Sequence, residues 1–465
     1  MYRSSSTLIS VKRHPELHAY LYGHSMLTHN LYNASLFRLR QNFTMKGKSS
    51  LTRNEQQVRD EIQKTAEVRH TGMPGRFLSY TFMDKLMRTT ENPDFFAGLP
   101  MQSAQEVLKS AVRNMKAWKE SMRGYRKDPS GYLGRPKMPK YKKLGVPVTV
   151  TYTNQDCIVY HREDGTSYLK LPKTSLTVEM PYLPENGTLM EVKAVPYYGD
   201  FLLICTFRCP DTDTPDAPHS CGIDLGVDNT AALVSSSGYC VLYKGGAAKA
   251  MNQWYNKKMA SLRSAAMKGH SPEEAAKLGL LHTGQMDALS RKRDLFLKDY
   301  LHKVSADIVR FCLGHGIGTI VIGVNKNWKQ SCNIGHVNNQ NFVQLPFATL
   351  RSLITSKAQQ AGLIVVEQEE SYTSKADLTA GDIIPVYKKD DHTKHQFSGK
   401  RTSRGLYCTH DEQVINADLN GAGNILRKAF PDIFKGKDFA FLQKILVRNY
   451  RDLNKRISVK GIGAV

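Results

Sequence analysis

Acidic residues occur in three segments of the chain, each at the end of a predicted strand or the start of a predicted helix. Asp224 lies near the end of a short apolar strand, just before a glycine turn and a second strand. Segments 365–370 and 415–420 add further carboxylates, among them Glu370 and Asp418. Carboxylates on rigid elements can bind Mg²⁺, and two divalent cations held by such a cluster support phosphodiester chemistry. The spacing therefore predicts a metal-dependent site that acts on a nucleic-acid backbone.

The composition excludes several classes of protein. At 465 residues the chain exceeds one ordinary globular core, so we expect two or three domains. A hydrophobic fraction of 41% excludes wholesale disorder. The formal net charge of +23 indicates a polyanionic partner, most commonly nucleic acid. We find no apolar stretch near ~18 residues and no signal-peptide pattern after Met1, so we expect no membrane partner and a cytoplasmic location. The eight cysteines include no C-x-x-C pair, which favours free thiols.

The order of the predicted strands and helices that must position the carboxylates indicates a multidomain α+β fold. Residues 1–15 predict the first strand of a small antiparallel barrel, and residues 16–130 predict a helical domain. The rest of the barrel is predicted over 131–212. From residue 213 strands and helices alternate, which favours an α/β domain with a mixed sheet.

A basic segment links the predicted helices to the predicted barrel. Between Gly124 and Lys143 the chain is rich in glycine, proline and basic residues, which predicts an extended connector. Its charge density suits a segment that follows an RNA or DNA backbone, and a merely solvated linker is the alternative. The candidate nucleic-acid-binding residues here are Arg135, Lys137, Lys140, Tyr141, Lys142 and Lys143.

The order of several motifs resembles the TnpB (OrfB) family, the RNA-guided nucleases of small insertion sequences and relatives of the type V CRISPR effectors. The motifs that carry the resemblance are Gly222-Ile223-Asp224-Leu225-Gly226, Tyr372-Thr373-Ser374-Lys375, Asn416-Ala417-Asp418-Leu419-Asn420, Leu31-Tyr32-Asn33, Arg135-Pro136-Lys137, Asn252-Gln253-Trp254-Tyr255-Asn256-Lys257 and Tyr300-Leu301-His302-Lys303. Together they cover nearly the whole chain.

The resemblance implies an RNA-guided DNA endonuclease with an RNase H-like (RuvC) nuclease domain, a helical recognition domain and a wedge barrel domain. Two Mg²⁺ ions would be held by Asp224, Glu370 and Asp418. The implied partners are a guide RNA and a target double-stranded DNA, recognised beside a short adjacent motif, in a monomeric ribonucleoprotein found at the nucleoid when it is on target. Further expected nucleic-acid contacts are Lys257, Lys375 and Arg404.

The middle carboxylate departs from the usual family pattern. Most members place it directly after the central strand, where this chain has Gly323, which cannot bind metal. A subset of the family places a glutamate before the Tyr-Thr-Ser-Lys motif instead. We therefore predict Glu370 as the ligand, with Glu369 and Glu367 as alternatives. Side chains alternate along a strand, so Glu367 and Glu369 are expected to face away from Glu370.

The zinc-binding ribbon of the family is also altered. Three of its four ligand positions hold Asp377, Ala380 and Asp411, and only Cys408 remains. One thiolate does not make a tetrahedral site, so we expect no structural zinc and a metal-free loop over 375–413. The alternative is that histidines assist Cys408, namely His392, His395 and His410. Basic residues of this loop that are expected to touch nucleic acid are Lys388, Lys389, Lys394, Lys400, Arg401 and Arg404.

These motifs divide the second half of the chain. The nuclease domain is predicted over 213–374 and 414–435, interrupted by the insertion at 375–413 and followed by a carboxyl-terminal tail at 436–465. Two other functions stay open, a nuclease-inactive RNA-guided repressor of the same family and a descendant guided by a CRISPR array. Nothing in the sequence supports a strand-transfer transposase, and neither the guide RNA nor the adjacent motif can be read from it.

Overall fold

The structure is a computed structural model that describes residues 2–180, 183–184, 186–325, 345–387, 393 and 395–453. The chain divides into two compact units, Met1–Pro210 and Asp211–Val465. Within the described ranges, no helix is long and apolar enough to span a membrane. Four residues considered above lie outside the described residues, namely Lys388, Lys389, His392 and Lys394.

Five helices pack together in the first unit. They are α1 (Pro15–Met45), α2 (Arg53–Val68), α3 (Tyr80–Thr89), α4 (Pro93–Phe96) and α5 (Met101–Lys127). A capping box starts α2, where Thr52 and Glu55 each bond the other's backbone N–H. The apolar faces of the helices share a core that includes Leu36, Met83 and Leu108. The helix α5 continues to Lys127, so the connector begins later than the sequence predicted.

The strands of the first unit form two antiparallel sheets, in the orders β1-β7-β6-β2 and β3-β4-β5. The strands are β1 (Tyr2–Ile9), β2 (Val150–Thr153), β3 (Ile158–His161), β4 (Ser167–Lys170), β5 (Thr177–Glu179), β6 (Thr188–Tyr197) and β7 (Asp200–Arg208). As predicted, the amino-terminal strand joins later strands, since β1 pairs with β7 along its whole length. The two sheets share one core, but hydrogen bonds among the described residues do not close them into a barrel.

The helix α1 contributes to both cores of the first unit. Leu17 and Leu21 near its start pack among the strands, whereas Leu31 and Leu36 pack among the helices. A single continuous helix therefore connects the two parts. The predicted boundary between a helical domain and a barrel domain stays a prediction.

The second unit contains the α/β domain. Its strands are β8 (His219–Asp224), β9 (Asn229–Ser235), β10 (Cys240–Lys244), β11 (Ile317–Val324), β12 (Ile364–Glu369), β13 (Lys400–Ser403), β14 (Leu406–Cys408), β15 (Val414–Asn416) and β16 (Ile445–Arg448). Its helices are α6 (Gly246–Ala266), α7 (Pro272–Lys277), α8 (Gly284–Gly314), α9 (Phe347–Gln360) and α10 (Ala417–Ala429).

A six-stranded mixed sheet organises this unit, in the order β12-β11-β8-β9-β10-β16. The strands β8, β9 and β10 are antiparallel, while β11 is parallel to both β8 and β12. Residues of α8 and α9, such as Ile308 and Leu350, cover one face of the sheet. Residues of α10, such as Leu419 and Ile425, pack on the other face. The mixed sheet is the one that the alternating sequence pattern predicted.

The last strand comes from the segment predicted as a carboxyl-terminal tail. The strand β16 extends the sheet by pairing in parallel with β10. Arg448, its last residue, donates hydrogen bonds of 2.9 and 2.6 Å to the carboxylate of Asp307 on α8. Both side chains are buried, so this ion pair fixes the strand to the body of the unit.

Candidate active site

The last helix approaches the sheet closely where Asp224 ends β8. A Cβ atom at Gly421 of α10 would lie 2.7 Å from Oδ2 of Asp224. A Cβ atom at Gly222 of β8 would lie 2.1 Å from the carbonyl oxygen of Ala422. Larger residues at these two positions would therefore push the helix away from the strand. The two glycines bring the start of α10, with Asp418, towards Asp224.

Asp418 is held from two sides. Asn416 caps the helix, since its Oδ1 accepts hydrogen bonds from the backbone N–H groups of Asp418 at 3.0 Å and Leu419 at 3.2 Å. Nδ2 of Asn229 donates to Oδ2 of Asp418 at 2.6 Å. Oδ1 of Asn229 in turn accepts a 2.9 Å hydrogen bond from Nζ of Lys244. Sequence reasoning missed this relay because Asn229 and Asp418 are far apart in the chain.

Glu370 occupies the space above Gly323. Its Oε2 lies 2.8 Å from the position that a Cβ atom at Gly323 would take, and Cδ1 of Ile425 lies 2.5 Å from the same position. The strands β11 and β12 are parallel and in register up to Val324 and Glu369, so Glu370 follows directly on the neighbouring strand. The carboxylate thus lies where a side chain on the central strand would begin.

The two alternative glutamates have cationic partners of their own. Glu369 accepts hydrogen bonds from the backbone N–H of Ser371 at 2.6 Å and from Nζ of Lys428 at 2.7 Å. Glu367 is exposed and lies 3.2 Å from Arg351. Lys428 belongs to α10, the helix that also carries Ile425 beside Glu370, and the expectation that Glu369 faces away from Glu370 stays a prediction. Strict alternation ends with the last residue of β12.

The charges of Glu370 and Asp418 act on the buried carboxylate of Asp224. Burial raises the pKa of Asp224 well above its usual range, and the charges of Glu370 and Asp418 raise it further, while Arg401 opposes them. Burial, followed by the charge of Glu369, raises the pKa of Glu370 to about 7. Among the described residues, no group of three or more acidic, histidine or cysteine side chains is close enough to hold a metal ion. The negative charge of the three carboxylates suits a divalent cation. To bind one, the carboxylates would have to move closer to one another.

The raised pKa of the buried Glu370 predicts how stability changes with pH when divalent ions are absent. The pKa of Glu370 is higher in the folded protein than in the unfolded chain, so its protonated form stabilises the fold at low pH. That stabilisation is lost as the pH rises from about 4.5 to about 7. At pH 8 without metal, Glu370→Gln is therefore expected to be more stable than the wild type, by up to about 3 kcal/mol. Denaturant unfolding across this pH range measures the difference.

The matched control is Glu367→Gln, which alters an exposed carboxylate and should follow the wild-type curve. Adding Mg²⁺ at pH 8 should stabilise the wild type more than it stabilises Glu370→Gln. Identical curves of stability against pH for the wild type and Glu370→Gln would contradict this account of the site.

The insertion after β12 is held by a buried carboxylate at a position where the family has a zinc ligand. Oδ1 of Asp377 accepts hydrogen bonds from the backbone N–H groups of Thr379 at 2.8 Å and Ala380 at 3.3 Å. Its Oδ2 accepts one from the backbone N–H of His410 at 2.7 Å. Asp377 is fully buried and so joins the turn after residue 377 to the turn after Cys408. The segment also contains β13 and β14, which pair with each other, so the prediction of a loop is wrong there.

We expect the purified protein to carry no stoichiometric zinc. The carboxylate of Asp377 is already satisfied by backbone N–H groups, and Ala380 offers no ligand atom. Elemental analysis after purification without chelators measures the metal content, and a chelator should leave the unfolding temperature unchanged. One tightly held zinc ion per chain would contradict this prediction and would bring His395 and His410 back as candidate ligands.

The candidate nucleic-acid-binding residues differ in their surroundings. All five cationic residues predicted in the connector are exposed, and so are Lys257 and Lys375. Tyr141 is 42% exposed, and the Arg40 guanidinium lies 4.9 Å from the centre of its ring. Arg404 forms an ion pair with Asp228 at 2.6 Å, so part of its charge is neutralised within the protein.

Two sequence families match consecutive regions of the second half of the chain. Residues 204–329 match OrfB_IS605, described as a probable transposase, and this region contains Asp224. Residues 347–425 match the Cas12f1-like TNB domain, and this region contains Glu370 and Asp418.

A curated relative points to the same group of proteins. The TnpB-like protein ORF457 of Acidianus two-tailed virus is 28% identical over 223 residues, which cover 46% of this chain and 43% of the relative. The chain thus spans less than half of the length of that relative.

Two solved structures are similar in outline. One is the Cas12f1–sgRNA–target DNA complex, at 15% identity, covering 88% of this chain and 82% of that chain with a TM-score of 0.49. The other is Alicyclobacillus acidoterrestris C2c1 with single-guide RNA, at 11% identity, covering 92% and 88% with a TM-score of 0.44.

The sequence matches thus relate residues 204–329 and 347–425 to transposon-encoded and Cas12f-related proteins. The chain is also similar to a TnpB-like viral protein.

Proposed function

We propose that the protein is an RNA-guided DNA endonuclease whose active site is formed by Asp224, Glu370 and Asp418. The observation that carries the proposal is the position of the Glu370 carboxylate, 2.8 Å from where a side chain on Gly323 would begin. The chain thereby supplies a third acidic group beside Asp224, although position 323, where the middle acidic residue of the family was expected, holds a glycine. Without that group, two aspartates alone would leave a pair of divalent ions short of negative charge and of oxygen ligands.

The strand order supports an RNase H-like core. Three antiparallel strands, β8 to β10, come first in the second unit, and two strands parallel to β8 are then added on its other side. Asp224 ends β8, and Glu370 follows the edge strand β12. Asp418 starts α10, the helix that covers one face of the sheet. The three acidic groups therefore come from three elements that meet on one face of the sheet.

Each residue of the site has a distinct role in this proposal. The three carboxylates would hold two Mg²⁺ ions, which when bound supply an activated water and stabilise the leaving oxygen. Asn229 orients Asp418, and Lys244 fixes Asn229. Lys428 neutralises Glu369 and so leaves Glu370 as the acidic group beside Asp224.

The charge of the chain supports nucleic-acid partners. The net charge of +23 includes a run of exposed cations between Arg135 and Lys143. We propose that a guide RNA and a target double-stranded DNA bind to such surfaces, with the protein acting as a monomeric ribonucleoprotein in the cytoplasm. Base pairing with the guide would read most of the target sequence.

The test begins with the RNA that copurifies with the full-length protein. Sequencing that RNA identifies the guide, and its targeting segment is then replaced to match a plasmid library with random sequence beside the target. Cleavage of matched plasmids only, with Mg²⁺ present, is the expected result. Guided binding without cleavage would establish the nuclease-inactive repressor instead, and the absence of a copurifying RNA would overturn the proposal.

Binding of the guide RNA is expected to weaken steeply as salt rises. Each lysine or arginine that neutralises a phosphate releases counterions, so an interface with about 6–10 such contacts loses about 10³–10⁵-fold in affinity between 50 and 200 mM salt. Filter binding across that range measures the slope. Lys137→Gln should reduce the slope, while Lys64→Gln, on the exposed face of α2, should not. A flat affinity would contradict the phosphate contacts.

A further inference from the structure

The first unit contains a cavity of about 330 Å³ bounded by α1, α5, β2 and β6. This volume is within the range of small-molecule sites. The residues around it that bear on its chemistry are Thr28, Tyr32, Arg113, Asn114, Lys142 and Lys193. The cavity lies within the first unit and shares no residue with the carboxylate site.

A buried hydroxyl of this cavity lacks a partner. Thr28 is only 6% exposed, and within the described part of the chain its Oγ1 makes no hydrogen bond. Buried polar atoms are nearly always paired, because leaving one unpaired costs stability. The cavity therefore offers a buried hydroxyl with which a ligand could form a hydrogen bond.

The other polar groups around the cavity are held in place. Nδ2 of Asn114 donates a 2.8 Å hydrogen bond to the hydroxyl of Tyr32. Nζ of Lys142 lies 5.0 Å from the centre of the Tyr32 ring. These contacts hold an amide and an ammonium group against Tyr32, at the wall of the cavity that Thr28 also lines.

The balance of charge around the cavity favours an anion. Arg113, Lys142 and Lys193 face two carboxylates, Glu106 and Glu191. Arg113 lies 3.6 Å from Glu106 and is 69% exposed, and Lys193 pairs with Glu191. Lys142 lies over the Tyr32 ring and is exposed.

The basic connector leads into this cavity along α5 and α1. Nε1 of Trp118 donates to the carbonyl oxygen of Pro136 at 3.2 Å, and Arg40 donates to that of Pro139 at 3.3 Å. Asn33 binds both the N–H and the carbonyl oxygen of Lys142, at 2.8 and 3.1 Å. The connector is therefore fixed against the helices, with its cations exposed on the way to Lys142.

We propose that the cavity binds one unstacked nucleotide of a single-stranded nucleic acid whose backbone follows the connector. The cations of the connector contact the phosphates, and Lys142 contacts the phosphate of the bound nucleotide. The base enters the cavity, where the hydroxyl of Thr28 gains a hydrogen-bond partner. A nucleotide is the ligand that combines polar base edges with an anionic group next to them.

Thr28→Val is the sharpest test, because it removes the hydroxyl and keeps the shape of the side chain. Since that hydroxyl is unpaired, the variant should unfold at the same temperature as the wild type or higher. Its affinity for short RNA and DNA strands that carry 2-aminopurine should fall about 2- to 10-fold, as expected for one lost hydrogen bond. The increase in fluorescence when the strand binds reports the unstacking of the base. Metal-free buffer keeps the result independent of cleavage.

The matched control is Thr65→Val, since Thr65 is also buried and its hydroxyl donates a 2.7 Å hydrogen bond to the carbonyl oxygen of Glu61. This control should lower the unfolding temperature and leave strand binding unchanged. Lys142→Gln should weaken binding of every strand. Comparing RNA with DNA strands identifies the natural ligand. Unchanged binding by Thr28→Val, or no fluorescence increase in the wild type with either strand, overturns the proposal.

Discussion

Replacing Asp224 or Asp418 with alanine is expected to abolish DNA cleavage and to leave guided binding to the target intact. Both residues would hold the divalent ions, which act on the reacting phosphate and not on recognition of the duplex. Loss of one group that stabilises charge in the transition state typically costs about 10²–10³-fold in rate, and a missing metal ligand should cost at least as much. Cleavage of a matched plasmid and gel-shift binding to the same duplex measure the two properties separately.

The control for this experiment is Asp299→Ala. Asp299 is a carboxylate on α8 whose side chain is 47% exposed and pairs with Lys303, and the three candidate ligands lie on other elements. It should cleave like the wild type. Cleavage near the wild-type rate in Asp224→Ala or Asp418→Ala would remove that residue from the site.

A second large effect is expected among three neighbouring glutamates. Glu370→Gln should lose cleavage by about 10²–10³-fold, because it removes the charge that lies over Gly323. Glu367→Gln should keep nearly full activity, since Glu367 is exposed and faces Arg351. Glu369→Gln should show a smaller loss, because it alters the partner of Lys428 next to the site. Cleavage assays on the three variants side by side provide the measurement.

A compensating pair of changes sharpens this test. Gly323→Asp alone should impair the protein, because its Cβ atom would lie 2.8 Å from Oε2 of Glu370 and 2.5 Å from Ile425. In Glu370→Ala the first of these clashes is gone and a carboxylate at 323 can take over, so the double variant should recover part of the lost activity. Normal cleavage by Glu370→Gln would show that the assignment is wrong and would direct attention to Glu369.

Local patterns were enough to predict most elements that carry the candidate site. The apolar run before Asp224 became β8, the segment that begins at Ala417 became α10, and the amino-terminal strand joined the later strands as expected. These predictions succeed because each depends on residues that are neighbours in the sequence.

The contacts that orient the site could not be predicted in the same way. The hydrogen bond between Asn229 and Asp418 spans 189 residues, and that between Lys428 and Glu369 spans 59. The sequence gives no spacing rule for such pairs, because they depend on how strands and helices meet. The helices α3 and α4 fall within residues 16–130, which the sequence predicted to be helical without bounds for each helix.

The ion pair between Arg448 and Asp307 has a consequence for how the protein forms during synthesis. The two residues are 141 positions apart, and the carboxylate of Asp307 is fully buried. While the chain grows on the ribosome, α8 and most of the sheet emerge long before the edge strand that neutralises this charge. Removing one partner of a buried pair costs about 3–5 kcal/mol, so a chain shortened before residue 445 keeps all three candidate ligands in a unit that is less stable by about that amount.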